Sequence, residues 1–162
     1  MLKIRYGKKE DIPVIVDFQE KMAWETEELK LDIKTLTKGV EAVFEDKNKG
    51  KYIMAESDGK TIASMMLTPE WSDWRNTNFL WIQSVYVIKE FRQKGVFREM
   101  YGFAKQIVES SPAYSGLRLY VEVNNTTAQK VYIHTGMDGE HYKMFEWEKP
   151  AMSNTQANTK PR

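Results

Sequence analysis

The sequence predicts a mixed α+β fold with elements in the order β-α-α-β-β-β-α-β-α-β. Three observations carry this prediction. Three runs rich in β-formers follow one another between Lys51 and Ile88, the first two joined by Asp58-Gly59 and the last two by a polar loop, which argues for an antiparallel half. A strand-helix-strand unit follows, running to Val123, and argues for a parallel pair with a right-handed crossover. The composition, 41% hydrophobic and 29% charged over 162 residues, is that of a soluble globular domain large enough to bury a core.

Element by element, "LKIRYG" alternates and reads as the first strand. "KKEDIPVIVDFQEKMAWETE" reads as a helix, with Asp11 as N-cap, Pro13 in the first turn and a stripe of Ile12, Ile15, Val16, Gln19 and Met22. "LDIKTLTKGVEAVFED" is a second helix with Asp32 as its cap and Gly39 as an internal weak point. "KYIMAES" and "KTIASMMLTPEW" form a hairpin around Asp58-Gly59, "WSDWRNTN" is a loop and "FLWIQSVYVI" a long strand. After the turn "EFRQKG", a helix runs to about Ser110, "SSPAYSG" is a loop and "LRLYVEV" a strand. "NNTTAQKVYIHTG" is a short helix stopped by Gly136, and "YKMFEWEK" is the last strand. One domain is expected over residues 1–149, with 150–162 as a polar, aperiodic, flexible tail.

Composition also excludes classes of function. Lys and Arg total 24 and Asp and Glu 23, a balance that gives no electrostatic reason to expect nucleic acid or an anionic membrane as partner. With no cysteine there is no disulfide, thiolate nucleophile or thiolate metal site, and two histidines are too few for a His-rich metal centre, so no metal is expected. No apolar run is long enough to cross a bilayer, and "MLKIRYGKKEDIP" lacks the apolar core of a signal peptide, so the cytoplasm is the expected location.

The turn between the long strand and the following helix is the first chemical signal. A helix N-terminus presents unpaired N–H groups and a partial positive charge, both suited to an anion. Gly95 lets the backbone approach a ligand, and Arg92, Lys94 and Arg98 add cations. A pyrophosphate cradle is one reading and an ordinary solvated turn the other. Neither the P-loop spacing nor G-x-G-x-x-G is present. The second signal is "NNTTAQKVYIHTGM". Ala128 and Tyr132, four apart, share one helix face, so a small residue admits a ligand beside a phenol. A helix packing these residues into a core is the alternative.

Together, "RQKGVF" (Arg92, Gln93, Lys94, Gly95, Val96, Phe97) and Asn125, Ala128 and Tyr132 in N-x-x-A-x-x-x-Y spacing resemble the two acetyl-CoA signatures of the GCN5-related N-acetyltransferase (GNAT) superfamily. The order of elements to about Lys149 is similar as well. The resemblance implies a splayed, mostly antiparallel central sheet of six to seven strands flanked by helices. It implies acetyl-CoA as cofactor, its pyrophosphate in the Arg92–Phe97 turn and its pantetheine arm along Val85, Tyr86 and Val87. Phe97 departs from the family pattern, which has Gly or Ala there.

The reaction implied is direct transfer of an acetyl group to a primary amine in a ternary complex. In the family the tyrosine at the position of Tyr132 protonates the leaving thiolate, and a backbone N–H near Val85 is the expected oxyanion donor. Gln83 stands where the family often has an acid and cannot act as a base. Glu122, on the neighbouring strand, is the first candidate base, with a paired sheet-surface role as its alternative. Glu25, Glu27 and Glu28 sit where a loop would cover the acceptor, or form a solvated face. Trp71, Asp73 and Trp74 suit an ammonium or planar amine, or pack on the core or on a second subunit of a homodimer. A small-molecule amine is the expected acceptor. A non-catalytic acyl-CoA-binding regulatory module and a protein N-acetyltransferase are the alternatives. A base-stacking nucleic-acid module is opposed by the charge balance.

Overall fold

The structure, a computed structural model, describes residues 1–150; the expected tail lies, beyond Pro150, outside the described residues. The chain divides into two compact units, Met1–Leu119 and Tyr120–Arg162.

The first unit holds a five-stranded sheet in the order β1-β2-β3-β4-β5. Its strands are β1 (Leu2–Tyr6), β2 (Lys51–Ser57), β3 (Lys60–Ser72), β4 (Thr77–Val87) and β5 (Tyr114–Arg118). The first three pairings are antiparallel and the β4–β5 pairing is parallel. Three helices flank the sheet: α1 (Ile12–Glu27), α2 (Ile33–Glu45) and α3 (Val96–Glu109). Asp58 (φ 51°) and Gly59 (φ 78°) form the tight turn that sets the β2–β3 register. Asp32 caps α2, its carboxylate accepting from the Thr35 N–H at 2.8 Å. Alternation then assigns the two faces of the sheet. Tyr52 and Met54 pack with Ile15, Val16 and Val40 of α1 and α2. Ile53, Met65, Leu67, Leu80 and Ile82 point the other way and are buried on the face opposite.

Asp11 is found at the N-cap of α1, but its side chain does not cap the helix. It forms a two-pronged pair with Arg5 of β1 (2.7 and 2.8 Å) and accepts from the Lys8 N–H. In the second unit, α4 spans Thr126–His134 and Gly136 (φ 88°) follows it.

Two expectations are corrected. The sheet has five strands among the described residues, not six to seven, and the order ends β-α rather than β-α-β. The strand expected over "LRLYVEV" lies earlier, at Tyr114–Arg118, because its ladder is fixed by β4: Phe79 faces Gly116 and Trp81 faces Arg118. Gly116 permits that pairing, since a Cβ there would meet the Phe79 ring at 2.8 Å. No strand forms over "YKMFEWEK". Alternation supplies a face for a strand, but a strand also needs a neighbouring edge to complete its ladder, and β5 pairs with β4 alone among the described residues.

Candidate active site

The site begins with a defect in β4. Gln83 faces Met66 and Tyr86 faces Ser64, so Ser84 and Val85 share the place opposite Met65. This is a β-bulge, with Ser84 in the left-handed region (φ 51°). Gln19, buried on α1, reaches the Ser84 carbonyl with its Nε2 at 3.5 Å.

The bulge matters because of what lies on either side of β4. The Ile88 N–H donates to the Ile62 carbonyl of β3. Polar groups alternate along a strand, so Val87 directs its N–H and C=O to the opposite edge, and Val85 does the same. On that edge β5 pairs with β4 only from Asn78 to Trp81. The sheet is therefore splayed within the first unit, and Val85 and Val87 present backbone groups with no ladder partner among the described residues. Beside them is a cleft of about 280 Å³ between the last turns of α1 and the end of β4, lined by Met22, Glu25, Thr26, Val85, Tyr86, Val87 and Arg92.

Below the cleft, a 3₁₀ turn at Lys89–Phe91 leads into the basic turn and α3. Gln93 (φ 60°) and Gly95 (φ 80°) are both left-handed, which folds the chain tightly ahead of the helix. Gly95 is the N-cap, and no side chain caps the first turn. A Cβ at Gly95 would meet nothing within 4 Å, so it is the positive φ, not crowding, that favours glycine there. Val96 is buried and anchors the helix start. Phe97 stacks on Tyr101 one turn along (6.2 Å between ring centres), so its ring runs along the helix flank. Lys94 Nζ lies over the Phe91 ring. A helix N-terminus without a side-chain cap, cations on the turn and an open strand edge fit a ligand with phosphates at one end and amide groups along its length.

Three side chains cross the cleft. Glu25 accepts from the Tyr86 hydroxyl (3.1 Å) and from Arg92 Nη2 (2.7 Å), with Lys89 at 3.7 Å. Arg92 Nε donates to the Val87 carbonyl at 2.8 Å, and its guanidinium lies over the Tyr86 ring. Burial pulls the Glu25 carboxyl upward, but the bonds from Arg92 and Tyr86 outweigh it and hold it below its ordinary value. Burial and the bond to Glu25 raise the Tyr86 phenol.

The structure thus brings together Glu25, Val85, Tyr86, Val87 and Arg92. Gln83 lies just before the bulge, where its Nε2 donates to Thr68 Oγ1. Glu28 is the left-handed C-cap of α1 and is exposed. Trp71, Asp73 and Trp74 are not brought to the cleft. Trp71 pairs with Asn78, seven residues before Val85, or about 23 Å along the strand at about 3.3 Å per residue. Trp74 is 90% exposed, and Asp73 accepts from its N–H.

In the second unit, Asn125 caps α4, its Oδ1 accepting from the Ala128 N–H at 3.1 Å. The Asn–Ala spacing of the motif is therefore a helix cap. Ala128 and Tyr132 lie one turn apart on α4, and burial raises the Tyr132 phenol above its usual value. Glu122 accepts from the N–H and the Nδ2 of Asn124, both at 2.9 Å, and so shapes the turn before α4. Sequence reasoning missed the clasp of Glu25, Tyr86 and Arg92, and the bulge with its support from Gln19. Only Gln19 carried a signal, as a polar residue within an apolar helical stripe.

Among the described residues no helix is long and apolar enough to cross a membrane, and no group of three His, Asp or Glu is placed to hold a metal ion. No curated protein matches the sequence. Among solved structures, a possible acetyltransferase from Clostridium difficile 630 is 44% identical, with a TM-score of 0.84 over 92% of this chain and 98% of that one. Glucosamine-6-phosphate N-acetyltransferase from Arabidopsis thaliana shares the fold at 18% identity, with a TM-score of 0.70 over 92% and 99% of the two chains. AAC(6')-Iy, solved with the bisubstrate analog CoA-S-monomethyl-acetylneamine, shares it at 15% identity, with a TM-score of 0.75 over 92% and 99%. The acetyltransferase (GNAT) family matches residues 15–137, which include the bulge, the splayed edge, the basic turn and α4, and the chain belongs to that family.

Proposed function

We propose that the protein is a single catalytic domain over residues 1–149 that transfers an acetyl group from acetyl-CoA to the primary amine of a small molecule, by direct attack in a ternary complex. The observation that carries this reading is the open Val85–Val87 edge beside the N-terminus of α3. In the proposal, Val85, Tyr86 and Val87 hold the pantetheine arm, and the backbone of Gln93, Lys94, Gly95, Val96 and Phe97, with Arg92, holds the phosphates. Asn125 and Ala128 are assigned to the same cofactor by their N-x-x-A-x-x-x-Y spacing with Tyr132. When bound, acetyl-CoA supplies the activated thioester.

The protein's own residues do the rest. Glu25 and Gln83 line the approach of the amine, with Glu28 at the end of α1 beyond them; Trp71, Asp73 and Trp74 lie too far along the sheet to touch a small acceptor. An alkyl ammonium has a pKa of about 10.4, so freeing its lone pair at neutral pH costs roughly 4.6 kcal/mol. Glu122 is the proposed base for that proton. The Val85 N–H, turned outward by the bulge, is the donor for the acyl oxygen. Tyr132 keeps its proton at neutral pH, as its raised phenol requires, and gives it to the leaving sulfur.

The test is thiol release from acetyl-CoA against a panel of small primary amines and of peptides with free N-termini. Slow hydrolysis that one small amine accelerates is the expected result. Acceleration by peptides alone moves the acceptor to a protein. Coenzyme A binding without acceleration by any amine makes the chain an acyl-CoA-binding module.

A further inference from the structure

Arg92 opens the phosphate turn, yet its guanidinium folds back from it. Nε is spent on the Val87 carbonyl (2.8 Å) and Nη2 on Glu25 (2.7 Å). Val87 is one of the residues whose polar groups face the open edge, so Arg92 occupies an acceptor that a ligand lying along the edge would need. Glu25 belongs to the last turns of α1 and Val87 to the end of β4, so the pair bridges both walls of the cleft. The two side chains are only partly screened, with 24% of Glu25 and 40% of Arg92 exposed.

A pyrophosphate at the start of α3 offers Arg92 a partner with more charge and more acceptor oxygens than one carboxylate. If Arg92 turns to it, the Val87 carbonyl is freed. Glu25 is then left with the Tyr86 hydroxyl and a distant Lys89, at 3.7 Å, as partners. A carboxylate on the cleft wall that has lost its closest cation attracts another.

Resting on the acetyl-CoA reading above, we propose that the Glu25–Arg92 pair is a clasp over the cofactor edge. Coenzyme A opens it by drawing Arg92 to its phosphates, and the vacated Glu25 carboxylate then receives the ammonium of the acceptor. The clasp lowers cofactor affinity in exchange for coupling, so that the cation-binding carboxylate appears only once the cofactor is in place.

The experiment is titration calorimetry with coenzyme A on the wild type, Glu25→Gln, Arg92→Ala and the double variant. Glu25→Gln tightens coenzyme A by about threefold, the scale of a partly exposed ion pair. In the Arg92→Ala background the same change has almost no effect, because there is no clasp to release. Equal tightening in both backgrounds would mean that Glu25 merely repels phosphate through space, and that overturns the clasp. So does no tightening in the wild-type background. A wild type that does not bind coenzyme A at all overturns the acetyl-CoA reading itself, and the clasp with it. The acceptor half is read by ligand-observed NMR with n-butylammonium as probe. The probe binds the coenzyme A complex of the wild type more tightly than the free protein, and Glu25→Gln removes that difference. Equal binding with and without coenzyme A, or a difference that survives Glu25→Gln, overturns the acceptor half.

Discussion

Tyr132 shows what a single residue can and cannot reveal from sequence. Its spacing from Ala128 placed it on one helix face, and the helix is there. A phenol with its ordinary value of about 10 is already protonated at neutral pH; what the sequence did not show is that burial raises it further. Tyr132→Phe keeps the ring and loses the hydroxyl. General acid catalysis is worth about 10²- to 10⁴-fold, but a coenzyme A thiol has a pKa near the cysteine value of about 8.5, which makes its thiolate a tolerable leaving group. The expected loss in turnover is therefore on the order of 10- to 100-fold, with the KM for acetyl-CoA little changed, as measured by steady-state thiol release. Full turnover in the variant would show that another group delivers the proton. Asn125 carries the opposite lesson. It reads as a ligand-binding motif residue, and in the structure its side chain caps α4 by accepting from the Ala128 N–H.

Among the elements, those whose signals are local were read correctly. The Asp58-Gly59 hairpin, the Asp32 cap and the Gly95 turn each depend on a few adjacent residues. Elements that depend on a distant partner were not. The position of β5 is set by Phe79 and Trp81 of β4, and the bulge at Ser84 and Val85 by pairing with β3; neither leaves a mark in local periodicity. The junction of β1 and α1 is a similar case, because Asp11 reads as a helix cap yet is claimed by Arg5, which also holds Glu56. Hydrogen bonds from Arg5 lower the Asp11 carboxyl below its ordinary value. A lowered folded-state pKa gives stability that is fully present above the unfolded value of about 3.9 and is lost as pH falls through the folded one. Asp11→Asn is expected to cost about 2 kcal/mol at neutral pH, less than a fully buried pair because Arg5 keeps Glu56. The gap in melting temperature between wild type and variant should hold from about pH 6 to about 4.5 and then narrow as pH falls towards 3 and below, through the lowered folded-state value. A gap constant across that range would mean that the ionic part of the contact contributes nothing.

For the molecule as a whole, the balance of charge and the proposed cofactor site pull in different directions. The formal net charge is +1, so no global field draws an anion to the protein. Any salt-sensitive attraction must be local, and the chain carries Arg92 and Lys94 in the turn, and Arg98 in the first turn of α3, beside a helix N-terminus that no side chain caps. A ligand that binds only the folded state stabilises all of it. At about 100 times its dissociation constant, acetyl-CoA adds roughly 2.7 kcal/mol, which for a chain of this size is a rise in melting temperature of about 5 °C or more. In the proposed site the attraction comes from phosphates meeting a few partly exposed cations, so added salt screens it. Raising KCl from about 0.05 M to about 0.5 M shortens the screening length roughly threefold, and the acetyl-CoA shift at fixed concentration should shrink clearly. Pantetheine has the amides but no phosphates, so it should give a much smaller shift with little response to salt. If pantetheine matched acetyl-CoA, or if the acetyl-CoA shift ignored salt, the basic turn would not be the phosphate site and the strand edge alone would hold the cofactor. The two ligands therefore separate the contribution of the α3 turn from that of the Val85–Val87 edge in one melting experiment.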